Sequence, residues 1–164
     1  MTRRELREHC FKMLFCADFY PTEETKQQLE QYFEAPEEDE ATPEGELLII
    51  HQVDVDEKDR SYLVEKAGAA MDRVPELDAR INEVAEGWKT RRMGKVDLTI
   101  LRLALYEILY DEEIPQKVAI NEAVELAKKF GGSDSPSFIN GVLAKLVRAE
   151  TEKKEEPVPD GVGP

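Results

Sequence analysis

Arginines cluster at the start of the first helix that this sequence predicts. Arg3, Arg4 and Arg7 fall within five consecutive positions, and residues three or four apart share one face of a helix. They also lie close to the helix N-terminus, where free backbone N–H groups and the helix dipole favour phosphate. Arginine suits forked contacts with phosphate better than lysine does. This cluster could bind a nucleic-acid backbone, or it could be an ordinary solvated surface.

A second basic group lies in a predicted loop, within the stretch "WKTRRMGK". It contains Lys89, Arg91, Arg92 and Lys95. The same two interpretations apply to it, a phosphate-binding surface or a solvated one.

Patterns typical of catalysis or metal binding are absent from the sequence. It has no Gly-rich phosphate loop, no His-x-x-x-His and no Cys-x-x-Cys, and His9, Cys10, Cys16 and His51 are scattered. The two cysteines are about 9 Å apart along one predicted helix, too far to form a disulfide, which favours a reduced, cytoplasmic setting. We therefore predict a protein that is not an enzyme and has no catalytic residues, metal or cofactor.

The net charge of −14 is concentrated in two segments. Residues 34–60 contain eleven acids and two bases, and residues 150–164 contain five acids and two lysines, which leaves only −2 for the rest. The overall charge therefore does not exclude RNA binding. Like charges repel and favour an extended chain. We predict an acidic loop at 34–55 and a disordered acidic tail at 151–164.

Membrane insertion and secretion are not indicated. The sequence has no run of about 18 apolar residues. Charged residues interrupt the N-terminal stretch "MTRRELREHCFK", unlike the apolar segment of a secretory signal.

Two capping patterns predict helix starts in the N-terminal half. Thr2 precedes Glu5 by three positions, and Asp56 precedes Asp59 by three, so each could cap a helix with its side chain. We predict a first helix that ends before Pro21, a weaker one over 22–33, and one from residue 56 to about 74. The inward residues of this third helix are predicted to include Tyr62, Leu63 and Lys66. The stretch "LLIIHQV" at 47–53 is ambiguous, and helical or irregular structure is favoured.

The C-terminal half predicts four further helices. The first follows Pro75 and runs to about Trp88. "VDLTILRLALYEILYD" at 96–111 is apolar around nearly its whole circumference, which is typical of a central helix. Pro115 opens the next helix, and two glycines after Phe130 end it. The last helix starts at residues 134–136 and is predicted to end at residue 150. The chain thus predicts an all-α fold of about seven helices without strands.

Several polar residues interrupt these apolar patterns. Arg102 and Glu107 lie in the central helix, where long charged side chains usually need partners, and Glu122 is a plausible partner for Arg102. Asn121 and Asn140 could fix the register of packed helices by hydrogen bonding, and Gly141 could allow close helix approach. Alternatively, both asparagines simply face water.

The C-terminal half also resembles a known family. The segments "RLALYE" (102–107), "IPQKVAINEAVELAK" (114–128) and "FINGVL" (138–143) are similar to the NusB family of bacterial transcription antitermination factors. The resemblance covers roughly 55 residues, together with Trp88. The N-terminal "RRELREHCFKMLF" resembles the arginine-rich first helix of the family more weakly, and the acidic stretch from about 34 to 60 departs from it.

This resemblance implies two small helical bundles packed together. The N-terminal bundle would span about 2–74 and the C-terminal bundle about 76–150, within one domain at 1–150. It further implies binding to boxA RNA of ribosomal RNA transcripts together with the ribosomal protein NusE, in an antitermination complex on RNA polymerase. The family has no catalytic activity or cofactor.

The resemblance also suggests roles for individual residues. Arg3, Arg4 and Arg7 become the expected RNA contacts. Phe15 and Phe138 occupy positions from which an aromatic ring could meet a base, although Phe138 could equally belong to the core. Asp97 and Asp134 would face NusE, a basic protein, or would only interact with the helix dipole at helix starts.

An alternative from another class is an acidic helical adaptor that binds only proteins. Such an adaptor, possibly homodimeric, would not contact RNA directly. If charge reversal of Arg3, Arg4 and Arg7 left a titration of boxA RNA unchanged, that result would favour the adaptor.

Overall fold

The computed structural model describes residues 1–34, 55–85 and 89–155. Within these ranges it contains seven α-helices and two 3₁₀ turns but no strand, so the predicted all-α fold is confirmed. The helices are α1 Arg3–Ala17, α2 Thr25–Gln31, α3 Glu57–Asp72, α4 Val74–Val84, α5 Lys95–Tyr110, α6 Gln116–Phe130 and α7 Ser135–Glu155, with 3₁₀ turns at Thr22–Glu24 and Thr90–Arg92. Most of the acidic loop, "LLIIHQV", Trp88 and the end of the tail lie outside the described residues.

Both predicted caps are present. The Thr2 hydroxyl accepts a hydrogen bond from the Glu5 N–H at 3.1 Å, and the Asp56 carboxylate accepts one from the Asp59 N–H at 2.8 Å. Each bond satisfies one of the four N–H groups that a helix start leaves unpaired. A cap of this kind typically contributes about 1 kcal/mol.

The chain divides into two compact units, Met1–Val74 and Pro75–Pro164. In the first unit, α1, α2 and α3 pack against one another. Its core includes Cys10, Leu14, Leu29, Leu63 and Ala67, each at most 4% exposed.

One predicted core residue of α3 lies on the surface. Tyr62 is 43% exposed, whereas Leu63 and Lys66 are buried as predicted. The Lys66 ammonium group donates a hydrogen bond to the Tyr62 hydroxyl at 3.3 Å. Because adjacent residues of a helix point about 100° apart, the face that buries Leu63 turns Tyr62 towards solvent.

In the second unit, α5 packs against both α6 and α7, and α6 packs against α7. Ile100, Leu101, Leu103 and Leu105 of α5 are each at most 1% exposed. This burial on several sides confirms that α5 is the central helix that its apolar sequence predicts.

The last helix is longer than predicted. It was expected to end at Glu150, but α7 continues to Glu155. Ion pairs connect its end to α4: Arg80 donates to Glu150 at 2.8 Å, and Lys153 donates to Glu83 at 3.1 Å. These side-chain contacts stabilise the helical end of α7, although residues 151–155 belong to the segment for which the sequence predicts a disordered acidic tail.

Candidate nucleic-acid and partner interface

The N-terminal turn of α1 presents two of the three predicted arginines to solvent. Arg3 and Arg4 are exposed, whereas Arg7 is only 8% exposed. Arg7 lies three and four positions before Cys10 and Phe11, which are both buried. Residues at this spacing share a helix face, so Arg7 belongs to the buried side of α1. Arg7 is therefore the one largely buried arginine of the three, and its predicted contact with RNA stays a prediction.

Aromatic side chains lie towards the other end of α1. Phe15 is half-buried, with the Phe11 ring centroid at 6.3 Å and the Phe19 ring edge-on at 5.2 Å. Phe19 is 61% exposed and Tyr20 is 47% exposed, and neither is among the site residues predicted from the sequence. At 1.5 Å per residue, Arg3 and Phe15 are about 18 Å apart along the helix axis.

A cleft in the second unit brings together residues from two distant segments. Its volume is about 460 Å³. Three predicted site residues, Asp97, Asp134 and Phe138, line it together with Arg92, Met93, Gly94, Gly132, Ser133 and Ser135. The α5 start provides one wall, and the turn between α6 and α7 provides the other. Aromatic, anionic and cationic groups thus share one concave surface.

The turn between α6 and α7 holds one wall of this cleft in place. The Gly132 N–H donates a hydrogen bond to the Ser135 hydroxyl at 3.0 Å. A Cβ added at Gly131 would lie 2.6 Å from both Cβ and Oγ of Ser135. Position 131 therefore requires glycine because the Ser135 side chain lies too close for a Cβ, and not because of its φ angle of −92°.

The two carboxylates of the cleft have different surroundings. Asp134 is exposed directly before α7, whereas Asp97 is half-buried in the first turn of α5. The Oδ1 atom of Asp97 is buried and accepts no hydrogen bond within the described part of the chain. The positive end of the α5 dipole stabilises this charge, but a buried acceptor without a donor is costly. Asp97 could therefore accept a hydrogen bond from a binding partner.

Arg102 has a partner on α4. Its guanidinium donates two hydrogen bonds to the Asp78 carboxylate, from Nε at 2.8 Å and from Nη2 at 2.7 Å. This forked, largely buried pair is among the stronger kinds of charge-assisted interaction. Glu122, which the sequence suggests as a partner for Arg102, is half-buried, and Glu107 is only 1% exposed.

The proposed register role of the two asparagines is not supported. Asn121 and Asn140 are both exposed. Gly141 is also exposed, and a Cβ added there would meet no atom within 4 Å. The buried face of α6 instead consists of Ala119, Ala123, Leu126 and Ala127. Helix packing therefore does not explain why Asn and Gly occur at these positions.

The parts of the chain that the structure describes contain no group of three or more His, Cys, Asp or Glu side chains that could hold a metal ion. Desolvation raises the pKa of the Cys16 thiol, and the nearby Lys12 charge opposes this without reversing it. A raised pKa keeps the thiol protonated at neutral pH, which disfavours it as a nucleophile. In the same ranges, no helix has the length and apolar character needed to cross a bilayer.

These features define a small all-α protein with exposed arginines at the start of α1 and a cleft of mixed charge in its second unit. The chain belongs to the NusB family, whose sequence model matches residues 4–148. It is 47% identical over 146 residues to the transcription antitermination protein NusB of Agathobacter rectalis, covering 89% of this chain and 99% of that one. It is 45% identical over 147 residues to the NusB protein of Lachnoclostridium phytofermentans, covering 90% and 99%. The solved structure of T. maritima NusB matches with a TM-score of 0.72 and 30% identity over 95% of this chain and 99% of that chain.

Proposed function

We propose that this protein is a transcription antitermination factor that binds boxA RNA of ribosomal RNA transcripts together with NusE, as part of an antitermination complex on RNA polymerase. The observation that carries the proposal is the family match over residues 4–148, supported by relatives named transcription antitermination protein NusB. The matched region contains the cleft of the second unit and all of the α1 face except Arg3, which directly precedes it.

The RNA contacts begin at the N-terminus of α1. Arg3 and Arg4 are exposed there, where their charges and the helix dipole both attract phosphate. Arg7 is largely buried, so its role in binding is to support the α1 face. RNA affinity should therefore depend more on the two exposed arginines than on a three-residue cluster.

Base contacts come from half-buried aromatic rings. Phe15 and Phe138 each combine a fixed position with partial exposure, and bases stack readily on such rings. The edge-to-face contact between Phe15 and Phe19 restricts the Phe15 ring. A ring that is already ordered loses less entropy when RNA binds.

NusE contacts the carboxylates of the cleft. Asp97 and Asp134 offer negative charge to a basic protein, and such complementarity favours encounter and correct orientation. A donor from NusE would satisfy the buried oxygen of Asp97, which lacks a hydrogen bond in the described residues. The competing role, interaction with the helix dipole alone, requires no partner.

Titration of labelled boxA RNA tests this proposal, with NusE present at a fixed concentration. Arg3→Glu/Arg4→Glu reverses two exposed charges, so we expect at least a tenfold weaker complex at moderate salt. Lys26→Glu/Lys58→Glu is the control, because it makes the same charge change at exposed residues of the first unit. Equal affinities for wild type and the arginine variant would contradict the proposal.

A second candidate is an acidic adaptor that binds only proteins and possibly forms a homodimer. The net charge of −14 and the exposed Phe19 and Tyr20 favour it. An adaptor would still bind NusE but would show no saturable boxA binding. Co-purification with NusE, with and without boxA RNA, distinguishes the two candidates.

A further inference from the structure

The basic 3₁₀ turn between α4 and α5 presents two arginines from a fixed backbone. Thr90 and Met93 are 8% and 9% exposed, whereas Arg91 and Arg92 between them are exposed. The buried residues on either side hold the turn against the second unit. Both arginines are thereby exposed on one short turn whose flanking residues are buried.

Asn82 of α4 anchors this turn through two hydrogen bonds. Its side-chain Oδ1 accepts from the Thr90 N–H at 2.8 Å, and its backbone carbonyl accepts from the Lys89 ammonium at 2.7 Å. The Arg92 N–H also donates to the Lys89 carbonyl at 2.8 Å, which closes the turn. A turn held in this way loses little conformational entropy when it binds a ligand.

The sequence of the turn carries a charge opposite to that of the whole molecule. Lys89, Arg91, Arg92 and Lys95 lie within seven positions without an intervening acid, and the acids that share the cleft with Arg92 are Asp97 and Asp134. The chain as a whole carries −14. Four nearby positive charges repel one another and attract a polyanion.

The position of Arg92 connects the turn to the candidate site. Arg92 lines the same cleft as the half-buried Phe138. Proteins that bind single-stranded nucleic acid combine cations, which contact its phosphate backbone, with aromatic rings, on which its bases stack. Arg92 and Phe138 provide one of each. A small anion would not need the ring, and an acidic protein segment would not need a stacking surface.

We propose that Arg91 and Arg92 form a second RNA-binding surface, which holds backbone phosphates next to the base that contacts Phe138. This inference rests on the proposed function and adds contacts that the family resemblance did not supply. Contacts to phosphate fix the position of the RNA but do not read its sequence. The turn should therefore increase affinity for any suitable single strand.

The test measures boxA affinity of the full chain with NusE over a series of salt concentrations. Two phosphate contacts on a single strand contribute about 1.4 to the slope of log K against log salt. We expect Arg91→Gln/Arg92→Gln to lower the slope by about that amount and to weaken binding about tenfold at low salt. The ratio of boxA affinity to scrambled-RNA affinity should not change. Lys145→Gln/Arg148→Gln is the matched control, since both residues are exposed on α7.

Several outcomes would overturn the inference. If the turn variant and the α7 variant behave alike while Arg3→Glu/Arg4→Glu weakens binding, the turn does not contact RNA although the proposed function holds. Loss of NusE binding with unchanged RNA binding would assign the turn to the NusE interface. Absence of boxA binding by the wild type would overturn both proposals.

A second variant separates the fixed position of the turn from its charge. Asn82→Ala removes the side-chain acceptor of the Thr90 N–H but keeps all four cations. We expect weaker binding with an unchanged salt slope, because the phosphate contacts remain but cost more entropy to form. Circular dichroism and thermal unfolding show whether each variant is folded. Wild-type affinity in folded Asn82→Ala would contradict the role of the anchored turn.

Discussion

At the scale of single residues, burial separates charged side chains that look alike in the sequence. Arg3, Arg4 and Arg7 form one cluster in the sequence, but only the first two are exposed. Arg102 was correctly predicted to need a partner, and one such partner is the carboxylate of Asp78, 24 positions away. The identity of a partner at such a distance depends on which helices pack together.

Two glycines in the C-terminal unit should respond oppositely to the same substitution. Gly131→Ala would place a Cβ 2.6 Å from Ser135 side-chain atoms and 2.8 Å from the Ala127 carbonyl oxygen. Relief of this overlap requires movement of the turn, so we expect destabilisation of about 1–3 kcal/mol.

Gly141→Ala is the matched control. It meets open space within α7, and alanine there should stabilise the helix by about 0.5–1 kcal/mol. Urea denaturation of both variants measures the two free energies of unfolding. Equal effects in the two variants would show that the close contact at Gly131 does not constrain the turn.

At the scale of the helices, caps connect sequence to function as well as to stability. Thr2 caps α1 directly before Arg3 and Arg4, whereas Asp56 caps α3. Both caps were predicted from spacing alone, because a cap involves only residues within one helical turn. The α1 cap has a further consequence, since it orders the turn that holds the exposed arginines.

Removal of the two caps should therefore have similar effects on stability and different effects on RNA binding. Thr2→Ala and Asp56→Ala should each cost about 1 kcal/mol. Only Thr2→Ala should weaken boxA binding, by about twofold to fivefold, because its arginines must be ordered when RNA binds. Thermal unfolding and RNA titration of the same samples provide both measurements. A similar loss of RNA affinity in the two variants would show that the α1 cap affects RNA binding only through the overall stability of the protein.

At the scale of the whole molecule, acidic charge opposes the proposed function. A chain of charge −14 repels RNA at long range, so the isolated protein should bind boxA weakly and with strong dependence on salt. A basic partner such as NusE would neutralise part of this charge and contribute its own contacts.

We accordingly expect boxA affinity to increase at least tenfold when NusE is added at physiological salt. Fluorescence anisotropy with labelled boxA RNA, with and without saturating NusE, measures the change. A mutated boxA sequence controls for non-specific association. Equal affinity of the isolated chain and the pair would show that the acidic charge does not limit binding.

The sequence by itself determined the all-α fold, both side-chain caps and the central position of α5. Each depends on periodicity or on residues within one turn, which the order of amino acids contains directly. Only the tertiary structure decided that Arg7 is buried, that Asp78 pairs with Arg102, that Asn121 and Asn140 are exposed, and that Arg92, Asp97 and Phe138 share a cleft. Local spacing specifies the face of a helix on which a residue lies. Which face meets another helix is set by packing between segments distant in sequence, and local spacing does not specify that.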